Sequence, residues 1–164
     1  MLVILLAPGV SWAQPAGEVI CAATGGFHDG DTFACTGPEQ TYKVRVAGID
    51  APEVGQGFWR VSRDLLRTCA VAGTVAGCYK ADRYRRQVCR VTAPDGTDVA
   101  LELVRTGLAW HTVKHRNEQT LQEQDQYAAA EAQARARGLG LWSQPDPQEP
   151  GDCRASKKQR VACR

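Results

Sequence analysis

The sequence predicts a mainly β domain with helices, an α+β fold built on a small five-stranded barrel and three α-helices. Three observations point there. Runs rich in β-branched and aromatic residues, punctuated by glycine and proline, fill the first third of the chain. An amphipathic helical pattern then interrupts them, and a long alanine-rich stretch free of glycine and proline closes the domain.

Taken in order, Glu18 to Thr24, Thr32 to Thr36 and Thr41 to Ile49 read as three strands in meander order, with turns at Gly25-Gly26 and Gly37-Pro38. From Phe58 to Ala72, Val61, Leu65, Leu66 and Cys69 recur at helical spacing between Arg60, Arg63, Asp64 and Arg67. Thr74 to Tyr79 and Gln87 to Thr92 supply two more strands. Ala93-Pro94-Asp95-Gly96 then turns into Asp98, a helix N-cap for a short helix ending near Thr106. The longest helix is expected from Asn117, as N-cap, to Arg137, with Gly138 stopping it. Five strands split by a helix after the third suit a barrel of the oligonucleotide/oligosaccharide-binding (OB-fold) kind. Val44, Val46, Ile49, Leu65, Leu101 and Leu108 are the expected core, and Trp59 is expected to pack.

Composition narrows the class. With 43% hydrophobic and 23% charged residues, the chain is neither a disordered polymer nor a membrane bundle. The net charge of +2 is unevenly spread: Gly151 to Arg164 holds Arg154, Lys157, Lys158, Arg160 and Arg164 against Asp152 alone. Leu2 to Ala7 is an apolar run followed by Pro8-Gly9, with the small residues Ser11 and Ala13 before a cleavage point. Residues 1–13 therefore read as an export signal, with a buried N-terminal strand as the competing reading because no basic residue precedes the run. Seven cysteines without a Cys-x-x-Cys pair favour disulfides over zinc. Spacing suggests Cys21 with Cys35, Cys78 with Cys89 and Cys153 with Cys163, leaving Cys69 free. The expected domain spans residues 18–143. Residues 144–164 form a proline-rich linker and a basic, Cys-containing tail, read as a solvated extension or as an electrostatic hold on nucleic acid.

The chemistry concentrates in two stretches. His28-Asp29-Gly30-Asp31-Thr32 puts two carboxylates two residues apart, on one side of an extended chain, where oxygen ligands for a hard cation would converge. Arg45 and Asp50-Ala51-Pro52-Glu53 follow, and Asp82-Arg83-Tyr84-Arg85-Arg86 adds basic groups downstream. Either short motif alone is an ordinary turn or strand exit. His28, His111 and His115 are read as satisfied surface groups, not ligands.

In this joint order and spacing the residues resemble the staphylococcal (thermo)nuclease family. The resemblance extends from about Val19 to Ser143 and includes Leu103-Val104-Arg105-Thr106-Gly107-Leu108-Ala109 and Gly138-Leu139-Gly140-Leu141-Trp142-Ser143. It implies calcium ligands at Asp31, Asp50 and the Ala51 carbonyl, catalytic roles for Arg45, Glu53 and Arg86, and substrate contacts from Arg83 and Tyr84. Glu53 would orient a water, and the two arginines would bind phosphate and stabilise its transition-state charge. It further implies an endonuclease cutting single- or double-stranded DNA and RNA with little sequence preference and leaving 3′-phosphate ends; the export signal and cysteines point to a secreted or periplasmic location, and a monomer is expected. No membrane attachment is expected after signal cleavage. The chain departs from the family at Arg85, where a glycine is common, and at Trp110 to His115, where tyrosines often line a base pocket. The alternative is a non-catalytic OB-fold protein that binds nucleic acid or another polyanion, and a third is an exported partner-binding protein keeping the motif by descent. Asp31, Asp50 and Glu53 argue against a mere binder, because carboxylates repel a polyanion.

Overall fold

The computed structural model describes residues 17–163, so the expected export signal at residues 1–13 lies outside the described residues. The architecture is α+β, as the sequence predicts. Strands β1 (Gly17–Ile20), β2 (Ala23–Gly25), β3 (Thr32–Thr36), β4 (Thr41–Val46), β6 (Val75–Ala81) and β7 (Gln87–Thr92) form one curled sheet in the order β1-β6-β7-β4-β3-β2. β5 (Ile49–Asp50) pairs separately with β8 (Trp110–His111).

The two edge strands of the large sheet are consecutive in sequence. Only Cys21 and Ala22 separate β1 from β2, and their amides donate to the carbonyls of Thr74 and Thr36 at 2.8 and 2.7 Å. The single expected strand from Glu18 to Thr24 is therefore one bent segment that touches both edges and curls the sheet into a barrel. Counted this way, five strands surround the core. β4 and β7 meet in parallel, with Arg45 opposite Val88; the other pairings are antiparallel. The expected third strand breaks at Ala47-Gly48, where β4 gives way to β5.

The disulfides pair Cys21 with Cys35, Cys78 with Cys89 and Cys153 with Cys163, and Cys69 is free, as spacing suggested. The first joins the bent corner to β3, and the second ties β6 to β7. Helix α1 (Trp59–Cys69) buries Ser62 and Leu66, while Val61 faces solvent at 53% exposure, so its inward face is rotated from the expected one. Helix α2 (Val99–Arg105) starts at Asp98, whose carboxylate accepts from the Leu101 amide at 3.0 Å and from the Tyr127 hydroxyl.

Helix α3 (Leu121–Ala136) begins later than expected. Thr120, not Asn117, is its N-cap, in a reciprocal capping box with Glu123, and Asn117 belongs to a preceding 3-10 turn at Val113–Glu118. Tyr127, Ala130 and Ala134 form its buried face, the small alanines allowing close approach. The exit of α3 is fixed by glycines that meet backbone to backbone. The Leu141 amide donates to the Gly107 carbonyl at 2.8 Å, and a Cβ on Gly140 would strike that carbonyl. Of the expected core residues Val44, Val46 and Ile49 are fully enclosed and Leu108 is buried, whereas Leu65 and Leu101 pack on the rim.

The tail differs from the solvated extension expected. After the irregular stretch from Gln144 to Glu149 the chain folds into helix α4 (Pro150–Lys158). Pro150 at its first turn has the φ a helix start requires, and Pro150 and Cys153 are buried. The disulfide from Cys153 to Cys163 closes the segment on itself. No helix among the described residues is long and apolar enough to cross a membrane.

Candidate active site

The acidic and basic residues singled out in the sequence converge at one end of the sheet. Asp31 immediately precedes β3, Arg45 lies on β4 opposite Thr32, and Asp50 ends β5, held by pairing with Trp110. Arg45 Nη2 lies 3.3 Å from Asp31 Oδ2 and 3.3 Å from Asp50 Oδ1, so one nitrogen bridges both carboxylates. The same guanidinium donates to the carbonyls of Val46 and Ile49 at 2.6 and 2.7 Å, which fixes its plane.

Asp31 is only 4% exposed. Its Oδ2 accepts from the Ala51 amide at 2.9 Å and its Oδ1 from the Thr32 hydroxyl at 2.9 Å. Burial favours the neutral acid, but Arg45, the Ala51 N–H and the Thr32 hydroxyl outweigh it and hold the carboxyl below the usual range. Asp29 behaves oppositely. Burial first, and the charge on Asp31 second, push it up to about 7. Its Oδ1 accepts from the Asp31 amide at 3.2 Å, so it shapes the turn that presents Asp31. Gly30 between them lies against α1, where a Cβ would overlap Ser62 Oγ and press on the Ala51 side chain.

Arg86 reaches the same site from the β6–β7 turn. Its Nη1 donates to Thr32 Oγ1 at 3.1 Å, and Thr32 donates in turn to Asp31. Asp82 clamps it from behind, Oδ2 accepting from Arg86 Nε at 2.8 Å and Oδ1 from the Arg86 amide at 2.9 Å. Burial raises the Asp82 carboxyl, yet these bonds outweigh it and leave it below its ordinary value. Arg85 has φ +61°, the left-handed conformation that a glycine takes without cost. The turn thus tolerates the Cβ and keeps Arg86 in register. Tyr84 is 61% exposed with Arg83 and Arg86 stacked against its ring at 4.8 and 5.5 Å.

Trp110, at the departure from the family's tyrosines, is buried against Trp142 with ring centroids 4.4 Å apart, and Arg135 lies over both indoles. It supports β8 and hence Asp50. His111 pairs with Gln119 at 2.9 Å.

Two participants were not identified from sequence. Thr32 relays between Arg86 and Asp31, which only cross-strand register reveals. Arg154, on α4, donates from Nη2 to Asp50 Oδ2 at 2.7 Å and from Nη1 to Glu53 Oε1 at 2.7 Å. The one signal for it was the Cys153 and Cys163 pair bracketing the tail, which announced an ordered loop but not where it docks.

A curled sheet that gathers carboxylates and fixed guanidiniums at one end offers what phosphodiester hydrolysis needs above all, charge neutralisation and positioning. A family model described as staphylococcal nuclease homologue matches residues 43–144. An uncharacterized endonuclease of Escherichia coli O157:H7 is 34% identical over 123 residues, covering 74% of this chain and 76% of its own length. A micrococcal nuclease of Shigella flexneri is 34% identical across 95% of this chain and 90% of its own. An uncharacterized endonuclease of Haemophilus influenzae is also 34% identical, across 82% and 72%. The chain belongs to the staphylococcal nuclease homologue family and is a nuclease.

Proposed function

We propose that the chain is a calcium-dependent endonuclease that hydrolyses DNA and RNA with little sequence preference and leaves 3′-phosphate ends. The observation carrying this reading is the bridge from Arg45 Nη2 to Asp31 and Asp50, 3.3 Å on either side, with Glu53 three residues further along the chain.

The donor set fits a hard cation. Asp31, Asp50 and the Ala51 carbonyl offer oxygen only, and two carboxylates with one carbonyl leave room for water and phosphate oxygens in a coordination shell of about six to eight. Guanidinium groups already occupy the carboxylates, which is what a strongly negative cradle attracts. Calcium bound there would neutralise phosphate charge and polarise the scissile phosphodiester.

This chain's own residues supply the remainder. Glu53 orients a water for in-line attack and takes its proton. Arg45 and Arg86 hold the non-bridging oxygens, their planar forks matching phosphate as lysine does not. The water oxygen bonds to phosphorus, the bond to the 5′ oxygen breaks, and that oxygen leaves as an alcohol by taking a proton from solvent, to which Glu53 afterwards returns its own. Arg83 and Tyr84, exposed beside Arg86, contact the phosphate and sugar of the neighbouring nucleotide.

The reading takes residues 18–143 as the catalytic domain, acting as a monomer. Three disulfides suit an oxidising compartment and support a secreted or periplasmic location. Digestion of single-stranded DNA with calcium or with chelator tests the proposal. Cleavage should require calcium and fall in Glu53→Ala and Arg86→Ala. Equal cleavage by all three proteins in chelator would sink it.

A further inference from the structure

We propose that helix α4 is an autoinhibitory strap that competes with the cation for Asp50 and disarms Glu53 while it is seated. The inference rests on the reading of Asp50 as a metal ligand and Glu53 as the water-orienting carboxylate.

The contact is specific. Arg154 engages Asp50 with both terminal nitrogens, Nη1 to Oδ1 at 3.1 Å and Nη2 to Oδ2 at 2.7 Å, the bidentate fork that carboxylates bind best. Its Nη1 also donates to Glu53 Oε1. Lys157, one turn further along α4, donates to the Val54 carbonyl at 2.8 Å and stands 3.9 Å from Glu53 Oε2. A helix from beyond the barrel therefore places two cations on the loop that would hold metal and water.

The seat is built. Pro150 and Cys153 are buried beneath α4, and the Gln56 side-chain amide donates to the Gln148 carbonyl at 2.9 Å. The ring closed by Cys153 and Cys163 limits how far the segment can fray. Ordering a loose tail costs backbone entropy at every residue. These anchors offset that cost, so Arg154 is presented and not left to find Asp50 from solution.

Seating and metal loading exclude each other. With both Asp50 oxygens and one Glu53 oxygen engaged by Arg154, a divalent cation at Asp50 would face a guanidinium at bonding distance from the same atoms. Glu53, tied to Arg154 at Oε1 and facing Lys157 at Oε2, has less freedom to orient a water. By linkage, whatever factor Arg154 subtracts from cation affinity, the cation subtracts from the seating of α4. Phosphate favours the same release, because a polyanion draws Arg154 and Lys157 off the carboxylates. The strap would keep the nuclease quiet where calcium and nucleic acid are scarce.

Calcium titration by isothermal calorimetry on the full oxidised chain tests this, comparing wild type with Arg154→Ala and Arg154→Gln, the second keeping most of the stem. Arg154 is 45% exposed, so its loss should leave the fold intact, and the discounted ion pair corresponds to roughly five- to tenfold in affinity. Both variants should bind calcium tighter by about that factor. Hydrogen exchange in wild type should show residues 150–158 losing protection on calcium saturation while β3 and β4 keep theirs. Equal or weaker calcium binding in both variants, or unchanged protection of α4, overturns the strap but leaves the metal site standing. If none of the three proteins binds calcium, the metal reading fails and the strap falls with it.

Discussion

Arg86 touches Asp31 through one hydroxyl. Its Nη1 donates to Thr32 Oγ1 at 3.1 Å, and Thr32 donates to Asp31 Oδ1 at 2.9 Å, so the β6–β7 turn and the approach to β3 share one hydrogen-bond relay. Thr32→Val, similar in shape but unable to donate or accept, should loosen Arg86 without emptying the core. Steady-state kinetics on DNA should show a fall in kcat/KM of roughly 10- to 100-fold, equivalent to about 1.4–2.7 kcal/mol of transition-state stabilisation. Unchanged kinetics would show that the relay does not serve catalysis.

Glu53→Gln keeps the shape of the side chain and removes its basicity. A general base contributes about 10²- to 10⁴-fold, so kcat should drop by that order while KM moves little. Glu53 lies near the surface, and its urea midpoint should remain close to wild type.

Position 85 separates backbone cost from side-chain role. Arg85 has φ +61°, so Arg85→Gly should be tolerated, whereas Arg85→Val puts a β-branched side chain where its Cβ crowds the carbonyl. Urea unfolding should show the glycine variant more stable than wild type by up to about 1–2 kcal/mol, the left-handed cost that Arg85 already bears, and the valine variant less stable than wild type.

Gly30→Ala introduces a Cβ onto Ser62 Oγ and Ala51, so α1 or the Asp31 turn must shift. A stability loss of about 1–3 kcal/mol is expected. Activity should fall beyond what stability explains, because Asp29 and Asp31 flank the strained point.

Glu123 provides an acid-sensitive brace. The Arg90 side chain, then the Thr120 amide and hydroxyl, hold its carboxyl below the ordinary 4.5, outweighing burial. A depressed folded value contributes stability above pH 4.5 that is lost as pH falls through and below that range. Glu123→Gln should therefore lose stability at pH 7, and the gap to wild type should narrow steadily as pH falls below 4.5, measured by urea midpoints.

Much of the fold was legible because its signals are local. β3 and β7 match their expected limits, the α2 N-cap falls on Asp98, and the disulfides follow cysteine spacing. The misplaced α3 start shows the limit of such signals. Asn117 and Thr120 are both acceptable caps, and Glu123 decides for Thr120 by closing the capping box while also binding Arg90 of β7. Similarly, Val61 and Ser62 could each have faced inward. Gly30, distant in sequence, leaves room for Ser62.

The sequence by itself determined the family and the α+β class, and it nominated Asp31, Arg45, Asp50, Glu53 and Arg86 for the proposed site, because residue type and short-range order carry that information. Only the tertiary structure decided that one Arg45 nitrogen would bridge two carboxylates, that Thr32 would connect Arg86 to Asp31, and that Arg154 would lie on Asp50 and Glu53. Asp50 and Arg154 are 104 residues apart, and no local propensity speaks to such a pair. Their contact depends on a sheet curled until its edges share one strand and on a tail turned back by buried Pro150 and Cys153. Packing, summed over the whole barrel, is the physical reason.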